Sequence, residues 1–331
     1  MIKIVEALID DVKQDNVKLT NWALRRRASA KLVEIGQLAV APLVQLLNDQ
    51  NASVRVEAIT ALGKIGSTDA IKPLIAALND PVSNVVTVAS SALGAIKDNR
   101  ATNPLIDVLR RHGTDEIVSA ALALGEIGNP KAQTALEEVA LAAWFVDARA
   151  SALYALRQVG NASSNKVFVR AMNDQEEYVR IAAAEALSHF SYLQADKAAI
   201  QALDDRISYY INLMESGDKN QRKIAISSLG RIGSVRAVEP LIEHLMSDPE
   251  EDVQASATLA LGQIADRRAV TPLISALQHK NALTRAFAAY ALGLINDKSA
   301  ILPLSELLQD DNENVRSEVT RTLSKLRAVP S

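Results

Sequence analysis

The sequence contains no cysteine, which excludes disulfide bridges and thiolate metal sites. Aromatic residues make up only 4% of the 331 residues, and no run of 18 apolar residues offers a membrane span. The net charge of −3 argues against a broad nucleic-acid surface. Met1–Asp15 is amphipathic and acidic rather than signal-like. These absences favour a cytoplasmic protein with no membrane span and no specific nucleic-acid partner.

Strand signals are also missing, because no run alternates apolar and polar residues over six positions. The sequence instead repeats itself, and one column of the repeat is always leucine: Leu32, Leu62, Leu93, Leu124, Leu156, Leu187, Leu229, Leu261, Leu292 and Leu323. Neighbouring column leucines are 30 to 32 residues apart, except for one interval of 42. A fixed period of this size marks a chain built from stacked supersecondary units.

Each repeat is predicted to contain two helices. In Asp80–Leu109, the small or apolar residues Val85, Ala89, Leu93 and Ile96 follow the 3.6-residue period of a helix with one buried stripe. A second helix follows a short break and begins with a Pro-Leu phrase, since proline is tolerated in the first turn of a helix. The leucine-bearing helix is called the inner helix below, and the other is called the outer helix.

A column of glycines indicates how the inner helices stack. Six inner helices carry glycine directly after the column leucine: Gly63, Gly94, Gly125, Gly230, Gly262 and Gly293. Glycine inside a helix costs about 1 kcal/mol relative to alanine. Its recurrence at one position therefore predicts that a neighbouring helix approaches closely there.

The repeat phrase that begins Val54-Arg55 and ends at Leu78 resembles a HEAT repeat, and more narrowly the short HEAT-like repeat of phycobilisome lyases. The resemblance covers nearly the whole chain. It implies an all-α fold, a right-handed α-solenoid of about ten helix pairs, with residues 1–331 forming a single array. Such arrays expose extended surfaces rather than enclosed pockets.

A further feature of the family is an aspartate six residues before an arginine, which in related solenoids forms a hydrogen-bond ladder between successive repeats. The matching pairs are Asp49/Arg55, Asp174/Arg180 and Asp310/Arg316. We expect each of these arginines to reach its aspartate or the turn backbone of a neighbouring repeat. The ladder is predicted to be partial, because Asp80 and Asp248 lack the arginine six residues later, and Ile117 stands at an arginine position.

The repeat is interrupted between Leu187 and Leu229, and an added or lengthened helix is expected within residues 192–218. Two interpretations remain open for this segment. It is either an insertion tolerated on the convex side or a kink that divides six repeats from four.

No catalytic or metal-binding constellation is recognisable. The four histidines, His112, His189, His244 and His279, are far apart in sequence, and no column collects histidines or carboxylates. His112 and His279 align with turns and are expected to be solvated, whereas His189 lies on an inner helix and could face the groove. The sequence therefore predicts neither a cofactor nor a metal, and favours a non-enzymatic protein.

The inner-helix face carries the candidate partner-binding residues. Positions −5, −2 and +2 relative to each column leucine share one helical face. This face should be uniformly polar if it is only solvated and binds no partner. The predicted groove residues are Leu122, Tyr154, Glu185, His189, Leu259, Phe287, Tyr290 and Leu294. Leu122 with Tyr154, and Leu259 with Phe287, Tyr290 and Leu294, interrupt that polarity, and contiguous exposed apolar groups often mark a binding site. The alternative is that packing rotation buries some of them, Phe287 in particular.

Trp144 and Phe145 align with the turn between two helices of one repeat. Either the preceding helix, Ala132–Ala143, continues and packs the pair against the next repeat, or the pair is a secondary docking point for a partner or for another copy of the chain.

The leading functional hypothesis is a scaffold or adaptor that binds a partner protein along the concave inner-helix face. The resemblance suggests the alternative, a phycobilin lyase or phycobiliprotein chaperone that holds a bilin or a biliprotein in the groove. A bilin is expected as a ligand only under that alternative, and a homo-oligomer is compatible with both.

Overall fold

The computed structural model describes residues 2–13, 19–110, 113–189 and 197–328, and every regular element in these ranges is helical. Twenty α-helices in the described ranges form ten pairs, each an outer helix followed by an inner helix. The predicted all-α fold built from about ten helix pairs is confirmed.

The outer helices are α1 (Ile2–Lys13), α3 (Val40–Gln45), α5 (Ile71–Ala77), α7 (Thr102–Leu109), α9 (Gln133–Ala142), α11 (Asn165–Ala171), α13 (Lys197–Ser216), α15 (Val238–Ser247), α17 (Val270–Ala276) and α19 (Ile301–Glu306). The inner helices are α2 (Leu19–Ile35), α4 (Ala52–Ile65), α6 (Ser83–Ile96), α8 (Thr114–Ile127), α10 (Val146–Val159), α12 (Glu177–His189), α14 (Lys219–Ile232), α16 (Glu251–Ile264), α18 (Ala282–Ile295) and α20 (Glu313–Ala328).

Helix α4 shows why these residues form an inner helix. The Asn51 side chain accepts a hydrogen bond from the Ser53 amide and caps the first turn. Gly66 ends the helix with a φ of 73°, in the left-handed region that favours glycine. Between these ends, Ala58 and Leu62 are fully buried. All ten column leucines are at most 3% exposed, so the leucine column is the core of the stack.

The glycine column lies where successive inner helices meet. A Cβ atom placed on Gly63 would lie 2.8 Å from the Cβ of Ala92 on the next inner helix, and one on Gly125 would lie 2.9 Å from the Cα of Ala155. Both distances are too short for a real Cβ atom. The close helix approach predicted from the glycines is therefore present.

The chain divides into two compact units, residues Met1–Ala186 and Leu187–Ser331. In the second unit, the part of the predicted interruption that the structure describes is one 20-residue helix, α13, rather than an additional short helix. Ala199 and Leu203 of α13 are buried, as expected if this helix docks on the stack. The prediction of a single array over residues 1–331 remains a prediction.

An arginine–aspartate ladder joins successive repeats on the turns between outer and inner helices. In each rung, Nε and Nη2 of an arginine in one repeat donate hydrogen bonds to the two carboxylate oxygens of an aspartate in the next repeat. The rungs are Arg55–Asp80 at 2.7 Å, Arg149–Asp174 at 2.8 Å, Arg222–Asp248 at 2.9 Å and Arg285–Asp310 at 2.7 Å. His244 Nδ1 also lies 2.8 Å from an Asp248 carboxylate oxygen. Bidentate pairs of this kind stabilise the contact and also fix the relative orientation of the two side chains.

The pairing corrects the sequence-based expectation. The aspartate six residues before an arginine offers it the backbone carbonyl instead of the carboxylate: Arg55 donates to the Asp49 carbonyl, Arg180 to the Asp174 carbonyl, and Arg316 to the Asp310 carbonyl, at 2.8, 2.8 and 2.6 Å. The carboxylates of Asp174 and Asp310 belong to the rungs formed with the preceding repeat, and the Asp49 carboxylate accepts from the Asn51 amide at 2.8 Å. Asp80 and Asp248 therefore do not lack a base, because Arg55 and Arg222 supply it.

One rung contains neither an arginine nor an aspartate. His279 occupies the aspartate position and Gln254 the arginine position. The Asn281 amide donates to His279 Nδ1 at 3.0 Å, so the ring proton sits on Nε2 and faces Gln254 Oε1 at 2.9 Å. The Gln254 amide donates in turn to the Asp248 carbonyl at 2.8 Å, as an arginine does elsewhere. The expectation that His279 is merely solvated was wrong, because it stands in for a ladder aspartate.

The ladder lowers the pKa values of its carboxyl groups. Burial alone raises the pKa of Asp80, Asp174 and Asp248, but hydrogen bonds from the paired arginine and a backbone amide more than offset it, so each pKa lies below its ordinary value. For Asp310, the Arg285 hydrogen bond is the largest cause of the lowered pKa.

This shift predicts a pH dependence of stability. A carboxyl group with a lowered folded-state pKa stabilises the fold fully above its unfolded-state pKa of about 3.9, and the contribution is lost as pH falls towards the folded-state pKa. Thermal melts of the unmodified chain and of Asp80→Asn should therefore differ by a constant amount above about pH 5 and converge below about pH 4. A difference that persists unchanged to pH 2 would contradict this assignment.

Candidate functional site

On the inner face of the first unit, Leu122 of α8 and Tyr154 of α10 line one cavity of about 410 Å³. Leu122 is 44% exposed and Tyr154 is half-buried. Glu185 lies on the next inner helix and accepts a hydrogen bond from Tyr154 Oη at 3.3 Å. Three predicted site residues thus lie in a row on three successive inner helices. The cavity also has charged lining residues that were not among the predicted site residues: Lys97, Glu126 and Arg157.

In the second unit, the predicted apolar residues form what we call the α16–α18 patch: Leu259, Phe287, Tyr290 and Leu294. All four side chains are half-buried, so packing does not remove them from the surface. The Arg321 guanidinium from α20 lies over the Tyr290 ring, 5.2 Å from its centroid, and pairs with Glu318 at 2.7 Å. The patch therefore has an apolar centre and a charged border.

His189 is the remaining predicted groove residue. It is exposed at the last position of α12, with its Nδ1 3.1 Å from Ser188 Oγ. His112 lies outside the described residues. Within the described ranges, no group of three or more metal-ligating side chains comes together.

Trp144 and Phe145 lie in the turn between α9 and α10. Helix α9 ends at Ala142, so the alternative in which that helix continues and packs both aromatics away is wrong. Trp144 is 90% exposed and Phe145 is 40% exposed.

Among the described residues, the 23-residue helical stretch Arg26–Asn48 passes a length-and-hydropathy test for crossing a membrane, with a mean hydropathy of 1.4 over an 18-residue window. Core helices of soluble proteins pass the same test, and this stretch supplies Leu32 and Leu43 to the core. It is therefore weak support for a membrane span.

Paired helices with a leucine core, close glycine contacts and an inter-repeat ladder define an α-solenoid repeat protein. Family models identify which kind: the model of HEAT repeats matches residues 17–90, 40–122, 135–209, 208–282 and 270–331. The chain belongs to the HEAT-repeat family. A model of the PBS lyase HEAT-like repeat also matches residues 118–141, in line with the narrower resemblance.

Solved structures align with the chain at low sequence identity. Kap95p, in a complex with RanGDP, aligns with a TM-score of 0.52 and 16% identity over 98% of this chain and 50% of that one. The complex of CpcE and CpcF of phycocyanin lyase from Nostoc sp. PCC7120 aligns with a TM-score of 0.37 and 19% identity, over 88% of this chain and 93% of that one. Human deoxyhypusine hydroxylase aligns with a TM-score of 0.36 and 22% identity, over 91% of this chain and 99% of that one. No curated protein sequence matches the chain.

Proposed function

We propose that this chain is a non-enzymatic scaffold that binds a partner protein along its inner-helix faces. The observation that carries the proposal is the partly exposed apolar surface on those faces. Leu122 is 44% exposed beside the half-buried Tyr154, and the α16–α18 patch keeps four large apolar side chains at the surface. Tyrosine is one of the residue types that supply most of the binding energy at protein interfaces, and each of the two surfaces contains one, Tyr154 or Tyr290.

The two surfaces favour an amphipathic segment as the bound element. Each offers apolar contacts spaced along or across neighbouring helices, bordered by charged side chains: Lys97, Glu126 and Arg157 in the first unit and Arg321 in the second. An amphipathic helix docks in such a setting with its apolar side chains as anchors, and its polar side chains meet the charged border.

Affinity capture from the native lysate tests the proposal. Tyr290→Ala and Leu122→Ala should each reduce recovery of the same partner roughly tenfold or more, because each removes an apolar anchor. Leu302→Ala is the matched control, since Leu302 is 73% exposed on the outer helix α19. The thermal midpoints of all three variants should stay close to that of the unmodified chain. If Tyr290→Ala and Leu122→Ala recover as much partner as Leu302→Ala and the unmodified chain do, the inner faces are not the binding surface.

The bilin alternative has one specific observation in its favour. The match to the PBS lyase HEAT-like repeat, residues 118–141, includes Leu122, and the adjoining cavity contains the cations Lys97 and Arg157. Such cations could pair with the propionate groups of an open-chain tetrapyrrole. A bilin mixed with the chain should then show a shifted absorbance band that Arg157→Ala weakens. An unchanged spectrum would remove this candidate.

A further inference from the structure

The turn that carries Trp144 stands beside an apolar notch. The notch has a volume of about 410 Å³, and the apolar side chains that line it include Leu109, Ile117, Val139 and Phe145. Trp144 forms one side of it while remaining 90% exposed. Burying a tryptophan removes roughly 150–250 Å² from water, so an exposed tryptophan next to an apolar hollow is a strong candidate for an interface.

The notch exists because a ladder rung is absent. At this junction the arginine position is occupied by Ile117 and the aspartate position by Ala143. Both residues line the notch, so apolar side chains replace the ion pair that crosses the equivalent junction elsewhere.

The Trp144 turn is held rigidly from its other side. Arg149 donates from Nη1 to the carbonyl oxygens of Ala143 and Trp144 at 3.0 and 3.2 Å. The same guanidinium is fixed by its bidentate pair with Asp174. The tryptophan is therefore displayed on a turn that is already ordered, which reduces the entropy lost when it binds.

Protrusion and notch lie side by side on one surface, which makes that surface self-complementary across a two-fold axis. We propose that two copies of this chain form a dimer in which Trp144 of each copy enters the notch of the other. Arg110 and Glu138 also line the notch and carry opposite charges. Across a two-fold axis, Arg110 of one copy meets Glu138 of the other, and the same pair forms twice.

Sedimentation velocity over a concentration series tests the dimer. Trp144→Ala should raise its dissociation constant at least roughly 30-fold, as expected for a central aromatic at an interface. Tyr209→Ala is the matched control, because Tyr209 is an aromatic 47% exposed on α13, away from the notch in sequence. A chain that stays monomeric at all concentrations, or a dimer equally strong with Trp144→Ala, would overturn the proposal.

A charge exchange distinguishes a second copy from any other occupant. Arg110→Glu alone and Glu138→Arg alone should each weaken self-association, because each places like charges opposite one another twice. An equimolar mixture of the two variants should dimerise again, since every contact then joins opposite charges. A mixture that remains monomeric would overturn the symmetric arrangement. Capture of a partner through the inner faces should be unchanged in all of these variants. Each of the two proposals can therefore be contradicted without contradicting the other.

Discussion

Asp80→Ala is expected to lower the free energy of unfolding by roughly 2–3 kcal/mol, because it leaves a buried arginine without its counter-charge. The side chains of Arg55 and Asp80 are each only 10% exposed, and two hydrogen bonds of 2.7 Å join them. Asp80 also accepts from the Val82 amide at 2.9 Å, which is lost as well. Thermal denaturation followed by circular dichroism measures the effect, and we expect the midpoint to fall by about 3–4 °C.

Asp98→Ala is the matched control for this experiment. Asp98 likewise bonds an arginine, Arg100, and a backbone amide two residues ahead, but the Arg100 side chain is 53% exposed. Exposed ion pairs contribute about 0–1 kcal/mol. The account is contradicted if Asp98→Ala costs as much stability as Asp80→Ala.

Gly262→Val is the second substitution for which we expect a large loss, roughly 2–3 kcal/mol in the free energy of unfolding. A Cβ atom on Gly262 would lie 2.5 Å from the Cβ and 2.6 Å from the Cα of Ala291 on the next inner helix. Because one of these atoms is backbone, α16 and α18 must separate to admit the side chain. A gain in helix propensity of less than about 1 kcal/mol opposes the loss only in part.

Gln263→Val isolates the cause of that loss. Gln263 is the next residue on the same helix and is exposed, so the same side chain is introduced without a helix clash. Chemical denaturation of both variants should show a large decrease for Gly262→Val and little change for Gln263→Val. Equal stabilities would mean that the glycine column does not mark a close helix contact.

The fold followed from the sequence because its signals are repeated and local. Leucine, alanine and glycine recur at fixed positions, and the same helix pair satisfies all of them each time. The glycine column even indicated which helices touch. The ladder was harder to predict, because Arg55 meets a carboxylate 25 residues away on the next repeat, whereas the sequence draws attention to the aspartate six residues before it.

Two further features were hidden because their residue types differ from the repeat pattern. Gln254 and His279 form a rung without either ladder residue. Trp144 and Phe145 left two alternatives open, and their turn has Ala143 where five other repeats have an aspartate. The charged border of the inner faces, such as Arg321 over Tyr290, depends on side-chain placement between repeats and has no sequence signal of its own.

Site-specific photo-crosslinking tests the central claim, that a partner protein binds the inner-helix faces, most directly. Benzoylphenylalanine would replace Tyr290 on the inner helix α18 or Leu302 on the outer helix α19, in a Trp144→Ala background that suppresses self-association. After irradiation in the native lysate, we predict that Tyr290→benzoylphenylalanine yields one defined adduct and Leu302→benzoylphenylalanine yields none. Adducts from the outer position alone, or equal adducts from both positions, would contradict an inner-face scaffold.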